Sequence, residues 1–148
     1  MLIRHIGNTF YLQMHILRTK FWELAEKSLS RGCIYLGCSA GAIVAGRSIS
    51  TAYWKGWDEP DVGLEWNDET LRGRQLVDFD IFPHYDVHQH KELVESRKSS
   101  HLFNVVTVSD NMALVHSIQD GVIRNFDFYA DGALANVVIR KVDNTYHL

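Results

Sequence analysis

The pentapeptide Gly37-Cys38-Ser39-Ala40-Gly41 constrains the fold of this chain more than any other segment. It follows the short apolar, β-type run at residues 33–36 and precedes the small apolar residues 42–45, which can begin a helix. A G-x-S-x-G sequence between a strand and a helix is typical of a sharp, strained turn, because its glycines let the backbone bend and let strand and helix pack closely. The segment therefore predicts an α/β unit with Ser39 at the end of a strand.

Such a turn would lift the Ser39 hydroxyl clear of the sheet. The amide of Ala40 would then be free to bind an oxyanion, which is what a site built on a nucleophilic serine requires. A tight strand-to-helix bend without any chemical role is the alternative that these five residues leave open.

The composition is that of a globular protein. The 148 residues are 46% hydrophobic and 22% charged, with a net charge of −3, so we expect one domain over residues 1–148 and neither nucleic acid nor a membrane as partner. The two cysteines, Cys33 and Cys38, form no disulfide framework, which favours a reduced, cytoplasmic setting. We see no signal peptide, membrane span or zinc-ligand spacing, and we expect no metal or cofactor.

Periodicity and turn residues predict strands that alternate with helices. Thr9 is expected to cap a helix over residues 10–30, and residues 48–74 are expected to form a long loop or lid with one or two short strands. The other predicted elements are a short helix to Gly46, strand 76–81, helix 90–103, strand 105–108, a hairpin of residues 112–118 and 122–126, and strand 136–141. Together they indicate an α/β sheet with an antiparallel edge.

His84 and Asp110 are the best candidates to complete a site with Ser39. A serine nucleophile needs a base, and the base needs an acid that orients it. His84 and Asp110 each follow a predicted strand, at the end where open α/β sheets bind ligands. A structural hydrogen bond for His84 and turn chemistry for Asp110 remain alternatives, and Asp80 and Asp86 are rival acids.

The order serine, histidine, acid argues against an α/β-hydrolase, in which the acid precedes the histidine. Few residues follow Asp110, and only His116 and His147 among them could serve as a late histidine.

Four segments, taken together, resemble a known family. They are GNTFYL at residues 7–12, IYLGCSAGA at 34–42, FDIFPHY at 79–85 and VTVSDN at 106–111. In this order and spacing, over almost the whole chain, they are similar to the glycine-rich loop, nucleophile segment, base-bearing strand and acid-bearing turn of the peptidase E (aspartyl dipeptidase) family of serine peptidases. Cyanophycinase is a wider relative.

The resemblance implies a fold and an activity. The fold would be a mostly parallel open sheet with flanking helices, of the flavodoxin-like or class I glutamine amidotransferase-like kind, with an antiparallel hairpin near the C-terminus. The family's first strands are missing from this sequence. The activity would be hydrolysis of short peptides, including those with an N-terminal aspartate, through an acyl-enzyme.

The resemblance also implies roles for individual residues. Ser39 would be the nucleophile, His84 the general base and Asp110 the orienting acid, at a position where the family often has glutamate. The site would be completed by an oxyanion hole and by substrate-binding side chains. The amides of Ala40 and Gly7 would form the oxyanion hole. Asn8 and Arg97 would bind substrate, with Arg97 pairing to a substrate carboxylate.

Departures from the family pattern keep other functions open. His5 and Ile6 replace two glycines of the family's loop, and residues 50–54, which match the position of the family's substrate-binding aspartate, contain no acid; Asp58 and Asp61 lie a little further along. A catalytically impaired or dead remnant that acts as a binding or structural protein is therefore the alternative function.

Two further hypotheses follow from the same comparison. A sheet shortened on one side exposes an edge, so we expect a homo-oligomer, a dimer, to cover it. A glutaminase-like enzyme with Cys38 as nucleophile is disfavoured, because Cys38 precedes the apex of the turn and would point away from the site.

Overall fold

Strands and helices alternate along the chain, as the sequence predicts. The computed structural model describes residues 2–5, 7–60, 62–119, 122–129 and 136–141. Its elements are β1 (Leu2–His5), α1 (Thr9–Thr19), α2 (Phe21–Leu29), β2 (Ile34–Ser39), α3 (Ala40–Ile43), a 3₁₀ helix (Ser50–Tyr53), β3 (Asp80–Pro83), α4 (Val87–Lys98), β4 (Val105–Val108), β5 (Met112–Gln119), β6 (Val122–Tyr129) and β7 (Asn136–Lys141). No helix in the described ranges is both long and apolar enough to cross a bilayer.

Parallel pairing joins the strands that carry the predicted site. β1 pairs with β2, His5 lying opposite Ser39, and β3 pairs with β4, Pro83 lying opposite Val108. Among the described residues, one sheet has the order β1-β2-β7-β5-β6 and a second consists of β3 and β4. The α/β class is confirmed, and β5 and β6 form the expected antiparallel hairpin, whose turn at residues 120–121 lies outside the described residues.

Residues 10–30 form two helices, and the prediction of a single helix is wrong. Asn8, not Thr9, caps α1, since its side chain accepts a hydrogen bond of 3.0 Å from the Tyr11 amide. Lys20 adopts a left-handed φ of 53° and separates α1 from α2. The break turns Trp22 onto the buried Tyr35 ring, 5.7 Å away between ring centroids. Tertiary packing thus interrupts a helical pattern that contains no glycine or proline.

Two other boundaries differ from prediction because local hydrogen bonds decide them, and one predicted loop lacks its expected strands. β3 begins at Asp80 rather than residue 76, since the backbone amides of residues 74–76 bond to carbonyls of residues 44–46 instead. α4 begins earlier, because Asp86 caps it by accepting from the amides of His88 and Gln89. Within the described part of residues 48–74, the structure contains the 3₁₀ helix and an isolated bridge from Ser48 to Arg72, but not the expected short strands.

Two apolar clusters lie against β2 and α3. One packs Tyr35 of β2 against Ile81 of β3 and Val108 of β4. The other packs Phe10 of α1 against Val44, just after α3. All five side chains are 0% exposed, and burial of a large apolar side chain contributes about 1.5–3 kcal/mol. The clusters therefore fix β2, β3 and β4 relative to one another, which positions their carboxyl ends.

The turn after β2 is held by a close backbone approach. Ser39 has φ 52° and ψ −118°, a conformation that a residue with a side chain rarely adopts. A Cβ atom at Gly37 would overlap the carbonyl of Gly41, so only glycine fits there. The Tyr35 hydroxyl donates a 2.5 Å hydrogen bond to that carbonyl, and burial raises the pKa of Tyr35, which keeps the donor proton in place. The G-x-S-x-G turn is therefore built as predicted.

Replacing Lys20 with glycine should stabilise the protein. Glycine adopts a left-handed φ at the end of a helix without the steric cost of a side chain, so we expect a gain of about 0.5 kcal/mol in the free energy of unfolding. Urea denaturation measures it. Lys27→Gly, an exposed lysine within α2, is the matched control and should lose about 1 kcal/mol. Equal losses in both variants would contradict the observed break between the helices.

Replacing Gly37 with alanine should destabilise the turn at Ser39. The added methyl group must displace the Gly41 backbone or the buried Tyr35 ring, which costs about 1–3 kcal/mol as overpacking does elsewhere. Gly32→Ala is a comparison of the other kind, because its φ of 83° strains alanine while its Cβ would meet no atom within 4 Å. A urea midpoint for Gly37→Ala that is no lower than that of wild type would show that the steric argument at Gly37 is wrong.

Candidate active site

Ser39, His84 and Asp110 form a continuous hydrogen-bonded line. Ser39 Oγ lies 2.9 Å from His84 Nε2, and His84 Nδ1 lies 2.5 Å from Asp110 Oδ1. The side chain of His84 is 25% exposed and that of Asp110 is 67% exposed. The structure thus brings together three residues that the sequence singled out.

The hydrogen bonds assign the imidazole tautomer. An ionised carboxylate can only accept, so Nδ1 of His84 carries a proton and donates it to Asp110. In the neutral ring, Nε2 is then unprotonated and accepts from the Ser39 hydroxyl. This is the tautomer that a general base needs in order to remove a proton from a serine.

The parallel pairing of β3 and β4 brings His84 and Asp110 together. Pro83 and Val108 are register partners and the last residues of their strands. His84 follows Pro83 directly, and Asp110 lies two residues after Val108. The Tyr85 amide donates to the Val108 carbonyl at 3.1 Å, which holds the loop after β3 against the end of β4.

The predicted oxyanion-hole residues lie after β1 and β2. Ala40 is the first residue of α3 and is 1% exposed. Its amide has no acceptor within its own helix, as is general for the first turn. Gly7 lies in the connection from β1 to α1, and its neighbour Ile6 is outside the described residues. Their binding of an oxyanion stays a prediction.

The predicted substrate-binding side chains are engaged or exposed elsewhere. Asn8 caps α1 and donates a 2.7 Å hydrogen bond to the Glu59 carbonyl. Arg97 is exposed in the last turn of α4 and is not among the residues that line the cavity beside Ser39. Substrate binding by either residue stays a prediction.

The rival acids have other partners. Asp80 is 0% exposed and bonds His101 Nε2 at 2.7 Å and the Ser48 amide at 2.6 Å. Burial raises the pKa of Asp80, and the hydrogen bond with His101 opposes that rise. Asp86 caps α4. Of the three candidate acids, Asp110 is the one that contacts His84.

A cavity of about 50 Å³ opens beside the Ser39 hydroxyl. Its lining includes His84, Lys55, Trp57 and Asp58. Asp58 Oδ2 accepts a 2.9 Å hydrogen bond from the Thr9 amide, at the start of α1. Asp61, which the sequence analysis names together with Asp58 as an acid after the nucleophile helix, lies outside the described residues.

Lys55 is the site residue that the sequence analysis missed. Its Nζ donates hydrogen bonds of 2.6 Å to the Pro83 carbonyl and 2.8 Å to the His84 carbonyl. Burial lowers the pKa of Lys55 from 10.5 to about 8, and the nearby Asp110 and Asp58 carboxylates partly offset that fall. Lys55 lies between tryptophans in an irregular loop, so no periodic pattern pointed to it.

Cys38 and possible metal ligands are the other groups to consider among the described residues. Cys38 is 3% exposed, one residue before the apex of the turn. No group of three or more His, Cys, Asp or Glu side chains is arranged to hold a metal ion within the part of the chain that the structure describes.

The sequence of this chain is similar to those of known peptidases. The family model of peptidase family S51 matches residues 6–124. The chain is 37% identical to an uncharacterized peptidase of Pasteurella multocida over 79 residues, which are 53% of this chain and 36% of that protein. It is 28% identical to peptidase E of Shewanella putrefaciens in an alignment 117 positions long, which covers 73% of this chain and 46% of that protein.

A solved structure shares the fold. It is a Listeria monocytogenes protein provisionally assigned to peptidase E, with a TM-score of 0.65 and 22% identity, and the match covers 88% of this chain and 59% of that protein. This chain therefore spans less than two thirds of the length of these relatives. The family match covers well over half of the chain, and the chain belongs to peptidase family S51.

Proposed function

We propose that this protein is a serine peptidase that hydrolyses short peptides through an acyl-enzyme on Ser39. The observation that carries the proposal is the hydrogen-bonded line from Ser39 through His84 to Asp110. Its membership of peptidase family S51 and its similarity to proteins named peptidase E support the same reaction class.

In the proposed acylation, His84 Nε2 removes the Ser39 hydroxyl proton as Oγ bonds to the scissile carbonyl carbon. The Ala40 amide donates to the oxygen that becomes negative. Asp110 stabilises the imidazolium through Nδ1–H. The imidazolium then gives its proton to the leaving amine as the C–N bond breaks, which leaves an ester on Ser39.

In the proposed deacylation, His84 removes a proton from a water molecule that attacks the ester carbonyl. The ester C–O bond breaks, the acid product leaves, and the proton returns from His84 to Ser39. No redox partner or cofactor is needed, since every proton is carried by His84.

The proposal of short peptides as substrates rests on the resemblance to the peptidase E (aspartyl dipeptidase) family. The cavity beside Ser39 is where a substrate group would bind. The proposal extends to short peptides and not to a particular first residue, because Arg97, the expected partner for an acidic side chain, is not part of the cavity lining. Hydrolysis of Asp-X dipeptides beside Ala-X dipeptides separates aspartyl specificity from a broader preference.

Covalent labelling by a fluorophosphonate tests the nucleophile and the base. We expect one adduct on the wild-type chain by intact mass, none on Ser39→Ala, and labelling of His84→Ala slowed by about 10²–10⁴-fold, the usual contribution of a general base. Ser96→Ala and His88→Ala, both exposed on α4, are matched controls and should label as wild type does.

An adduct that persists on Ser39→Ala would refute the nucleophile. If the wild-type chain is well folded by circular dichroism yet remains unlabelled, the binding or structural alternative replaces the peptidase.

Replacing Asp110 with asparagine should slow labelling by roughly 10²–10⁴-fold. The amide group is nearly the same size but can donate to Nδ1, which favours the wrong imidazole tautomer. The second-order rate of fluorophosphonate labelling measures this effect. Asp78→Asn, at an exposed position before β3, is the control and should keep the wild-type rate. A wild-type rate for Asp110→Asn would remove Asp110 from the proposed site.

A further inference from the structure

Lys55 reaches from the segment after the 3₁₀ helix to the loop that carries His84. Thr51, in that 3₁₀ helix, donates its hydroxyl to the Ile81 carbonyl at 2.7 Å, which attaches the helix to β3. Lys55 therefore starts from a fixed position beside the strand that ends at Pro83. Its ammonium then bonds the two consecutive carbonyls of Pro83 and His84.

Aromatic rings hold the ammonium from two sides. Lys55 Nζ lies 4.4 Å from the centroid of the Trp57 ring and 4.6 Å from that of the Phe82 ring. Both distances are within the range of cation–π attraction, which is strongest where water is excluded. The two rings and two carbonyls thus stabilise the ammonium in this position, although partial burial of a charge is unfavourable in itself.

The backbone at His84 needs such support. His84 has a left-handed φ of 53°, which is unfavourable for a residue with a side chain. Adjacent carbonyls of an extended strand point to opposite sides, so one ammonium can bond both only where the strand direction is broken. The amide after this turn, that of Tyr85, bonds the Val108 carbonyl. The turn is therefore held from the Lys55 side and from the β4 side.

We propose that Lys55 is a positioning residue, whose ammonium clamps the left-handed turn at His84 and thereby keeps the imidazole in line between Ser39 and Asp110. The inference rests on the proposed function, because it assigns Lys55 a part in the same reaction. The hydrogen bonds of Lys55 Nζ go to backbone carbonyls and not to the Ser39 hydroxyl. It acts through the geometry of His84.

Titration of Lys55 should therefore appear in the rate. The groups that face the ammonium are His84 after β3, Asp110 after β4, Asp58 three residues after Lys55, and His90 in α4, whose pKa is lowered by burial and by the Lys55 charge. Burial lowers the pKa of Lys55 to about 8. Above that pH the clamp loses its charge and one donor, and the labelling rate should decline.

The test is the second-order rate of fluorophosphonate labelling between about pH 6 and 10. For wild type we expect a decline centred near pH 8, to roughly one tenth of the maximum. Lys55→Met keeps an apolar stem between the rings and should label about tenfold more slowly at pH 7, with no decline near pH 8. Lys55→Arg keeps its charge at every pH tested and should exceed Lys55→Met in rate while also lacking the decline. Lys91→Met, at an exposed position in α4, is the control.

Thermal melting separates this titration from alkaline unfolding. Because the pKa of Lys55 is lower in the folded protein than its ordinary value of 10.5, the unfolded chain holds more protons between about pH 8 and 10.5. This group therefore makes the folded state more stable, not less, as the pH rises through that window. A labelling rate that falls only together with the melting temperature would overturn the proposal.

The failure of this inference differs from failure of the proposed function. Absence of Ser39-dependent labelling in wild type at any pH removes the function itself. Ser39-dependent labelling with the same rate and pH profile in wild type and Lys55→Met overturns the role of Lys55 alone. If Lys55→Met does not fold, wild type and Lys55→Arg decide the matter, and a shared decline near pH 8 in both would refute the proposal.

Discussion

Two left-handed residues, Ser39 at the end of β2 and His84 just after β3, set the geometry on which the site depends. Each turns the chain sharply where a strand stops, so that its side chain lies at the carboxyl end of the strands. A left-handed backbone is costly for a residue with a side chain. Such turns persist because the surrounding structure favours them.

The support for the two turns is different in kind. At Ser39 it is steric, since the missing side chain of Gly37 lets the backbone of Gly41 approach and accept the Tyr35 hydroxyl. At His84 the support is electrostatic, since the Lys55 ammonium donates hydrogen bonds to the carbonyls of Pro83 and His84. A steric support is independent of pH, whereas an ammonium binds carbonyls less strongly once it loses its charge.

The three candidate acids differ in what their hydrogen bonds support. Asp80 is fully buried and bonded to His101 and the Ser48 amide, and Asp86 caps a helix, so both stabilise the fold. Asp110 is largely exposed, and its recorded side-chain partner is the His84 ring. An exposed acid can give its hydrogen-bonding capacity to an imidazole, because it is not needed to satisfy buried backbone groups.

Local sequence determined the parts of this protein that depend on short-range chemistry. The G-x-S-x-G turn, β4 and β7 follow from residue type and alternation, and Ser39, His84 and Asp110 could be named because each follows a strand in a recognisable segment. Only the tertiary structure decided the break at Lys20, the pairing of the buried Asp80 with His101, and the position of Lys55. Those features arise from contacts between residues far apart in the chain, which no local pattern encodes: Lys55 meets carbonyls 28 and 29 residues away.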